Sequence, residues 1–111
     1  MINWPAIIKH SDDAELTYIN SLQDWLADTD LHTFEYDETD YIVDSTGNVF
    51  NLINRESIRI KPLSTGHSLT LDVILGLVKA HAAQKGSCCV AKLYAPSIRD
   101  AFKIIKSLDE L

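Results

Sequence analysis

Six side chains of this chain have the chemistry to ligate a transition metal or to act as nucleophile and base: His10, His32, His67, His81, Cys88 and Cys89. A zinc site draws its ligands from spacings such as C-x-x-C or H-x-x-x-H, and neither occurs here. The two cysteines are adjacent, so on a strand they face opposite ways and cannot readily reach one ion. A bridge between neighbours would need a distorted peptide. Both are read as reduced thiols, which suits the cytoplasm. Cys89 with His81 is the pair that folding could bring together as nucleophile and base. Against it, His81 follows Leu77 and Val78 at the border of an apolar stripe, and both thiols sit in an apolar run, so core packing is their expected role. No metal site is expected.

Carboxylates are the more unusual feature. Between His10 and Asn54 there is no Lys or Arg, while eleven acids occur: Asp12, Asp13, Glu15, Asp24, Asp28, Asp30, Glu35, Asp37, Glu38, Asp40 and Asp44. The net charge of -6 hides a polarity. Residues 1–56 hold 12 acids and 2 bases, a charge of -10, and residues 57–111 hold 8 bases and 4 acids, a charge of +4. Acids clustered in space attract cations and basic protein surfaces. The plainer alternative is that they solvate one face and pair with the basic half of the same molecule. Calcium does not fit. Asp28-Thr29-Asp30 opens like an EF-hand loop, but His32, Thr33 and Thr39 stand where an oxygen ligand, Gly and the closing Glu belong.

Other functions are excluded by what is missing. No G-x-G-x-x-G, phosphate-binding loop, G-x-S-x-G or H-E-x-x-H motif is present, so no cofactor is expected. Arg99, Lys103 and Lys106 form a small basic stripe, without interleaved aromatics and in an acidic protein, which argues against nucleic acid. The longest apolar run, Val73 to Val78, is far short of a bilayer span, and the N-terminal residues lack the basic and apolar regions of a secretory signal. A chain of 111 residues with 46% apolar and 23% charged side chains reads as one soluble, cytoplasmic domain over residues 1–111, able to bury a core without staples.

The elements that must position these residues follow from pattern. Pro5 to Lys9 and Leu16 to Ile19 suggest an opening hairpin. Ser21 caps a short helix whose Leu22, Trp25 and Leu26 share one buried face and which ends near Asp30. Leu31 to Asp40 lacks periodicity and reads as an irregular, mobile connection. Tyr41 to Val43 and Asn48 to Ile53 flank Asp44-Ser45-Thr46-Gly47, the clearest hairpin, with Gly47 supplying a positive φ. Ile58 to Lys61 alternates and reads as a third meander strand ended by Pro62. Thr70 caps the strongest helix, with Leu71, Ile74, Leu75, Val78 and Ala82 inward and Gly86 as its stop. Cys88 to Tyr94 reads as an interior strand, and Ser97 caps a last helix lined by Ile98, Ala101, Phe102, Ile105 and Leu108. The order β-β-α-β-β-β-α-β-α predicts an α+β domain with a mostly antiparallel sheet of five to six strands and two main helices on one face. A β-α-β unit between Ile58 and Tyr94 would add one parallel pair. Trp4, Trp25, Phe34, Tyr36 and Phe50 are expected as core anchors, with Phe34-Glu35-Tyr36 suited to an interface if exposed.

Trp4-Pro5, the stretch Val43-Asp44-Ser45-Thr46-Gly47-Asn48-Val49-Phe50, and Ser87-Cys88-Cys89-Val90-Ala91-Lys92 with Ala95-Pro96-Ser97-Ile98 together resemble a family of short uncharacterised bacterial proteins, a domain of unknown function. The resemblance spans nearly the whole chain and implies no activity. The function expected from the residues is a protein-interaction or regulatory module whose acidic surface, at Asp28, Asp30, Glu35, Tyr36, Asp37, Glu38 and Asp40, meets a basic partner. The alternative is a small-ligand-binding protein or minor enzyme with a dispersed site. A homodimer formed through an uncovered sheet face or edge is a third expectation.

Overall fold

The computed structural model describes residues 1–87 and 90–110. Strands β1 (Ala6–Lys9) and β2 (Leu16–Ile19) are followed by short helices α1 (Leu22–Ala27) and α2 (Thr29–Thr33), then by β3 (Tyr41–Asp44) and β4 (Asn48–Asn51). A ribbon of β5 (Arg55–Glu56) and β6 (Arg59–Ile60) precedes β7 (Leu63–Ser68), the long helix α3 (Leu71–Gln84), a 3-10 turn at Val90–Lys92 and helix α4 (Ile98–Asp109). The main sheet has the spatial order β2-β1-β3-β4-β7, and each neighbouring pair in it is antiparallel. The protein is thus α+β, with a five-stranded antiparallel sheet and two main helices. None of the helices among the described residues is long and apolar enough to cross a membrane.

Alternation along the strands serves two cores. Ile7, Leu16, Val43 and Val49 face α3 and α4 and pack with Ile74, Val78, Phe102 and Ile105. Their neighbours Ala6, Ile8, Ile19, Ile42 and Phe50 face the other way and pack with Trp25, Leu52 and Ile60. Register joins these sets: Ile7 lies opposite Val43, and Ile8 opposite Ile42. A sheet covered on both faces explains why adjacent isoleucines stand side by side in β1.

Helix ends follow the expected chemistry. Ser21, Thr70 and Ser97 accept the N–H groups of Asp24, Val73 and Asp100, as N-caps do. Helix α3 closes in a Schellman motif: Ser87 N–H bonds to Ala82 O, Gly86 N–H bonds to Ala83 O, and Gly86 has φ +74°. Gly47 is the glycine the fold most needs. Its φ is +89°, and a Cβ there would stand 2.4 Å from the carbonyl oxygen of Leu69.

Asp44 organises the same turn. One of its buried carboxylate oxygens accepts the N–H groups of Thr46 and Asn48 and the Thr46 hydroxyl at 2.9, 3.0 and 2.6 Å, and the other accepts the Asn3 N–H at 2.9 Å. Burial alone would raise its pKa. The hydrogen bonds from Thr46, Asn3 and Asn48 outweigh that and hold the carboxyl below its ordinary value.

Four expectations need correction. Ile58 to Lys61 is not a third meander strand: Arg59–Ile60 pairs with Arg55–Glu56 in a separate ribbon, and Leu63–Ser68 takes the place beside β4. Its residues, Leu-Ser-Thr-Gly-His-Ser, are polar and mostly exposed, as an edge strand permits, so they carry no hydrophobic alternation to read. The interior strand expected over Cys88 to Tyr94 is absent where described. Val90–Lys92 forms a 3-10 turn, while Cys88 and Cys89 lie outside the described residues. No parallel pair occurs among the described strands. The connection expected to be irregular begins as α2, capped by Asp28, whose carboxylate accepts the N–H groups of Asp30 and Leu31.

Candidate functional site

Two histidines, His81 and His32, are buried, and each has the chemistry of a base. The His81 ring is fully buried. Its Nδ1 accepts the Leu16 N–H at 2.9 Å, so the ring proton sits on Nε2 and is donated to Asp109 Oδ1, also at 2.9 Å. Asp109 in turn lies 3.6 Å from the Lys85 ammonium, which contacts Glu15 at 2.9 Å. Contact with the Glu15 carboxylate leads in raising the Lys85 pKa; desolvation opposes it, and the charges of Glu15 and Asp109 add to the rise. With both ring nitrogens engaged, His81 ties α3 to β2 and α4 and has no lone pair left to take a proton from a thiol.

His32 repeats the device on the opposite face. Its Nδ1 accepts the Ile60 N–H at 3.0 Å and its Nε2 donates to the Trp25 carbonyl at 2.8 Å. The ring tilts against the Trp25 indole with centroids 4.5 Å apart. Its own carbonyl accepts from Arg55 at 2.6 Å. One side chain therefore joins both short helices to the ribbon.

His10 behaves differently. Its ring, about a quarter exposed, stacks parallel to Tyr36 at 5.7 Å and tilts against Phe34 at 4.8 Å, and Phe34 and Tyr36 also meet at 4.8 Å. His10 and Phe34 form the aromatic wall of a recess of about 320 Å³ that Asp12, Asp13, Glu35, Asp37 and Asp40 also line, and Tyr36 packs against both rings. The recess forms where the turn after β1 meets the connection between α2 and β3. Asp40 fastens the two, accepting the Ser11 and Asp37 N–H groups, each at 2.9 Å. Asp37 closes a tight turn by accepting the Thr39 hydroxyl and N–H, and those bonds lead in lowering its pKa. Tyr36 donates to Leu31 O at 2.9 Å. Desolvation first, then the charges of Asp40 and Asp28, push its pKa up to about 12, so its hydroxyl stays a proton donor.

The seven residues expected to form the acidic surface thus separate by role. Glu35, Asp37 and Asp40 line the recess and Tyr36 backs it. Asp28 and Asp30 lie elsewhere, in a shallow depression with Asp24, Ala27 and Thr29. Glu38 is exposed and lines neither. Pairing between the two halves of the chain is sparse. Among the described residues the Lys and Arg ion pairs are Lys85 with Glu15 and Asp109, and Lys61 with Glu56. Asp12, Asp13, Glu35, Asp37 and Asp40 take part in none of these. Phe34, expected in the core, is 48% exposed at the recess wall. Asp12, Asp13 and His10 join the site only through the hairpin turn, which brings them to residues more than twenty positions away.

Comparison with known proteins agrees with this architecture. The model of DUF4144, described as a protein structure with unknown function, matches residues 4–105. The chain belongs to that family. The structure is similar to an NMR structure of a protein from Shewanella amazonensis, with a TM-score of 0.70 and 27% sequence identity over 97% of this chain and 90% of that one. A search of curated proteins finds no match. This DUF4144 chain therefore shares its fold across nearly its full length with a bacterial protein.

Proposed function

We propose that this DUF4144 domain is a non-enzymatic binding module of the bacterial cytoplasm that captures a basic segment of a protein partner in the His10–Phe34–Asp40 recess. One observation carries the reading: an exposed Phe34 ring, braced by His10 and Tyr36, is fenced by carboxylates that make no Lys or Arg ion pair among the described residues. A guanidinium or ammonium entering there gains both the ring face and the free carboxylates of Asp12 and Glu35. Asp37 and Asp40 hold the backbone that shapes the recess and contribute field rather than direct contact. In support, Tyr36, Asp37 and Asp40 are already fixed by hydrogen bonds to the backbone, so the frame of the recess is formed before a partner arrives.

The test is fluorescence polarisation of a labelled hexa-arginine peptide. Neutralising Asp12→Asn, Asp13→Asn and Glu35→Gln together is expected to weaken binding by about tenfold or more and to flatten its salt dependence. Asp24→Asn, Asp30→Asn and Glu110→Gln change net charge equally outside the recess and are expected to cost less than about threefold. Equal losses in the two triple variants would reduce the attraction to unspecific charge and defeat the reading.

A further inference from the structure

A second concavity lies between α1, the ribbon and the N-terminal segment, and it shares no lining residue with the acidic recess. Its volume is about 500 Å³, within the range of small-molecule sites. Trp25, Phe50 and Ile60, all buried, form its floor; Ile2, Trp4 and Pro62 line its sides. Leu22 and Leu26 stand one helical turn apart above it, 46% and 39% exposed. These are the residues whose spacing with Trp25 predicts a buried face, and nothing in the described chain covers them. At the mouth stand Arg59 and Lys61, with Glu56 beside them. Lys61 is only loosely paired with Glu56, at 3.8 Å between exposed side chains, and Arg59 makes no ion pair among the described residues.

We infer that this groove is a binding site for a small amphipathic carboxylate: an aliphatic chain on the Trp25–Phe50–Ile60 floor and a carboxylate held by Arg59 and Lys61. Charge complementarity selects the occupant. An apolar cleft alone would accept any greasy molecule, but Arg59 and Lys61 against the single carboxylate of Glu56 leave the rim with a positive excess that favours an anionic head over a cationic one. Guanidinium geometry adds a two-pronged grip on a carboxylate.

The chain carries two tryptophans, Trp4 and Trp25, and both line the groove, so intrinsic fluorescence reports occupancy directly. Titration of the intact protein with sodium decanoate, below its micelle concentration, is expected to give a saturable spectral change. Octanoate should bind several-fold more weakly, because each buried methylene adds to affinity. Decyltrimethylammonium, with the same chain and opposite charge, should bind at least about tenfold more weakly. The double variant Arg59→Gln and Lys61→Gln should lose about tenfold for decanoate and little for decanol. Leu26→Glu, at a half-exposed position that leaves the floor intact, should abolish decanoate binding without unfolding the domain. No saturable change, equal binding of the two charged probes, or an unaltered affinity in both variants would overturn the assignment. A concentration-dependent dimer in sedimentation that is dispersed by Leu26→Glu would also overturn it, by giving the groove to a second copy of the chain.

Discussion

The two faces of the sheet are closed by the same kind of bolt but by different lids. On one face His81 links β2, α3 and α4; on the other His32 links α1, α2 and the ribbon, and each ring engages both nitrogens with one bond to a backbone N–H. The lids differ in length. Helices α3 and α4 have 14 and 12 residues and bury whole stripes, Ile74, Leu75, Val78 and Ala82 on one and Ala101, Phe102 and Ile105 on the other. Helices α1 and α2 have 6 and 5 residues, and each buries one side chain, Trp25 and His32. A helix of under two turns cannot shield its own flanking apolar positions, so the second face keeps an apolar groove and, where its loops meet the first hairpin, an acidic recess. The difference teaches that the concave surfaces of this domain, to which binding is proposed, arise where short elements leave the sheet incompletely covered.

The sharpest way to break that contrast is by truncation on either side of it. Phe102→Ala, on the long-helix face, should cost about 3–5 kcal/mol in urea denaturation, because a fully buried ring leaves a cavity. Leu26→Ala, on the short-helix face, should cost less than about 1 kcal/mol, as an exposed leucine has little burial to lose. Similar costs would mean that the second face is as well covered as the first.

Asp44→Asn comes next, at roughly 2–3 kcal/mol near neutral pH, since it removes charge from an oxygen set that five donor groups address. The folded carboxyl has a lowered pKa, so its stabilisation is complete above the ordinary Asp range and is lost as pH falls toward the folded value. Acid titration of stability should therefore be shallower in Asp44→Asn than in the parent. An identical slope would remove Asp44 as the source.

A smaller effect distinguishes the two regions spectroscopically. Of the four tyrosines, Tyr36 is pushed up to about 12 by burial and by Asp40 and Asp28 behind the recess. Phenolate absorbance should show its titration last, and Tyr36→Phe should delete that final step. Smallest of all, Lys85→Met should leave the urea midpoint almost unchanged, because its bonds to Glu15 and Asp109 lie at the surface and are screened by water.

Much of this fold was legible in the pattern of residues. The three N-caps, the Gly47 turn and the stripes of α3 and α4 appear where local chemistry demands them, because each depends on residues within a few positions of one another. Strand β7 was not legible. It borders the sheet, leaves most of its side chains in water and pairs mainly through its backbone, with one side-chain bond from the Thr65 hydroxyl to the Val49 carbonyl. The segment after Gly86 misled for the opposite reason: apolar residues at Val90, Ala91 and Leu93 resemble a strand, yet Val90–Lys92 turns. Of the recess, the acidic and aromatic members were visible as a composition, while its boundary was not. Asp28 and Asp30 leave it for a helix start, and His10, Asp12 and Asp13 enter it across the sheet. The groove could be read only once α1 was known to end at Ala27, too early for Leu22 and Leu26 to be covered.

The most direct measurement is an amide correlation spectrum of the labelled domain titrated separately with hexa-arginine and with decanoate. The predicted result is two disjoint sets of shifts, one at residues 10–13 and 34–40 and the other at residues 2–4, 22–26 and 56–62, with α3 and the outer face of α4 unmoved. Shifts centred on α3 and α4, or none with either probe, would contradict the claim that this domain binds through its short-helix face.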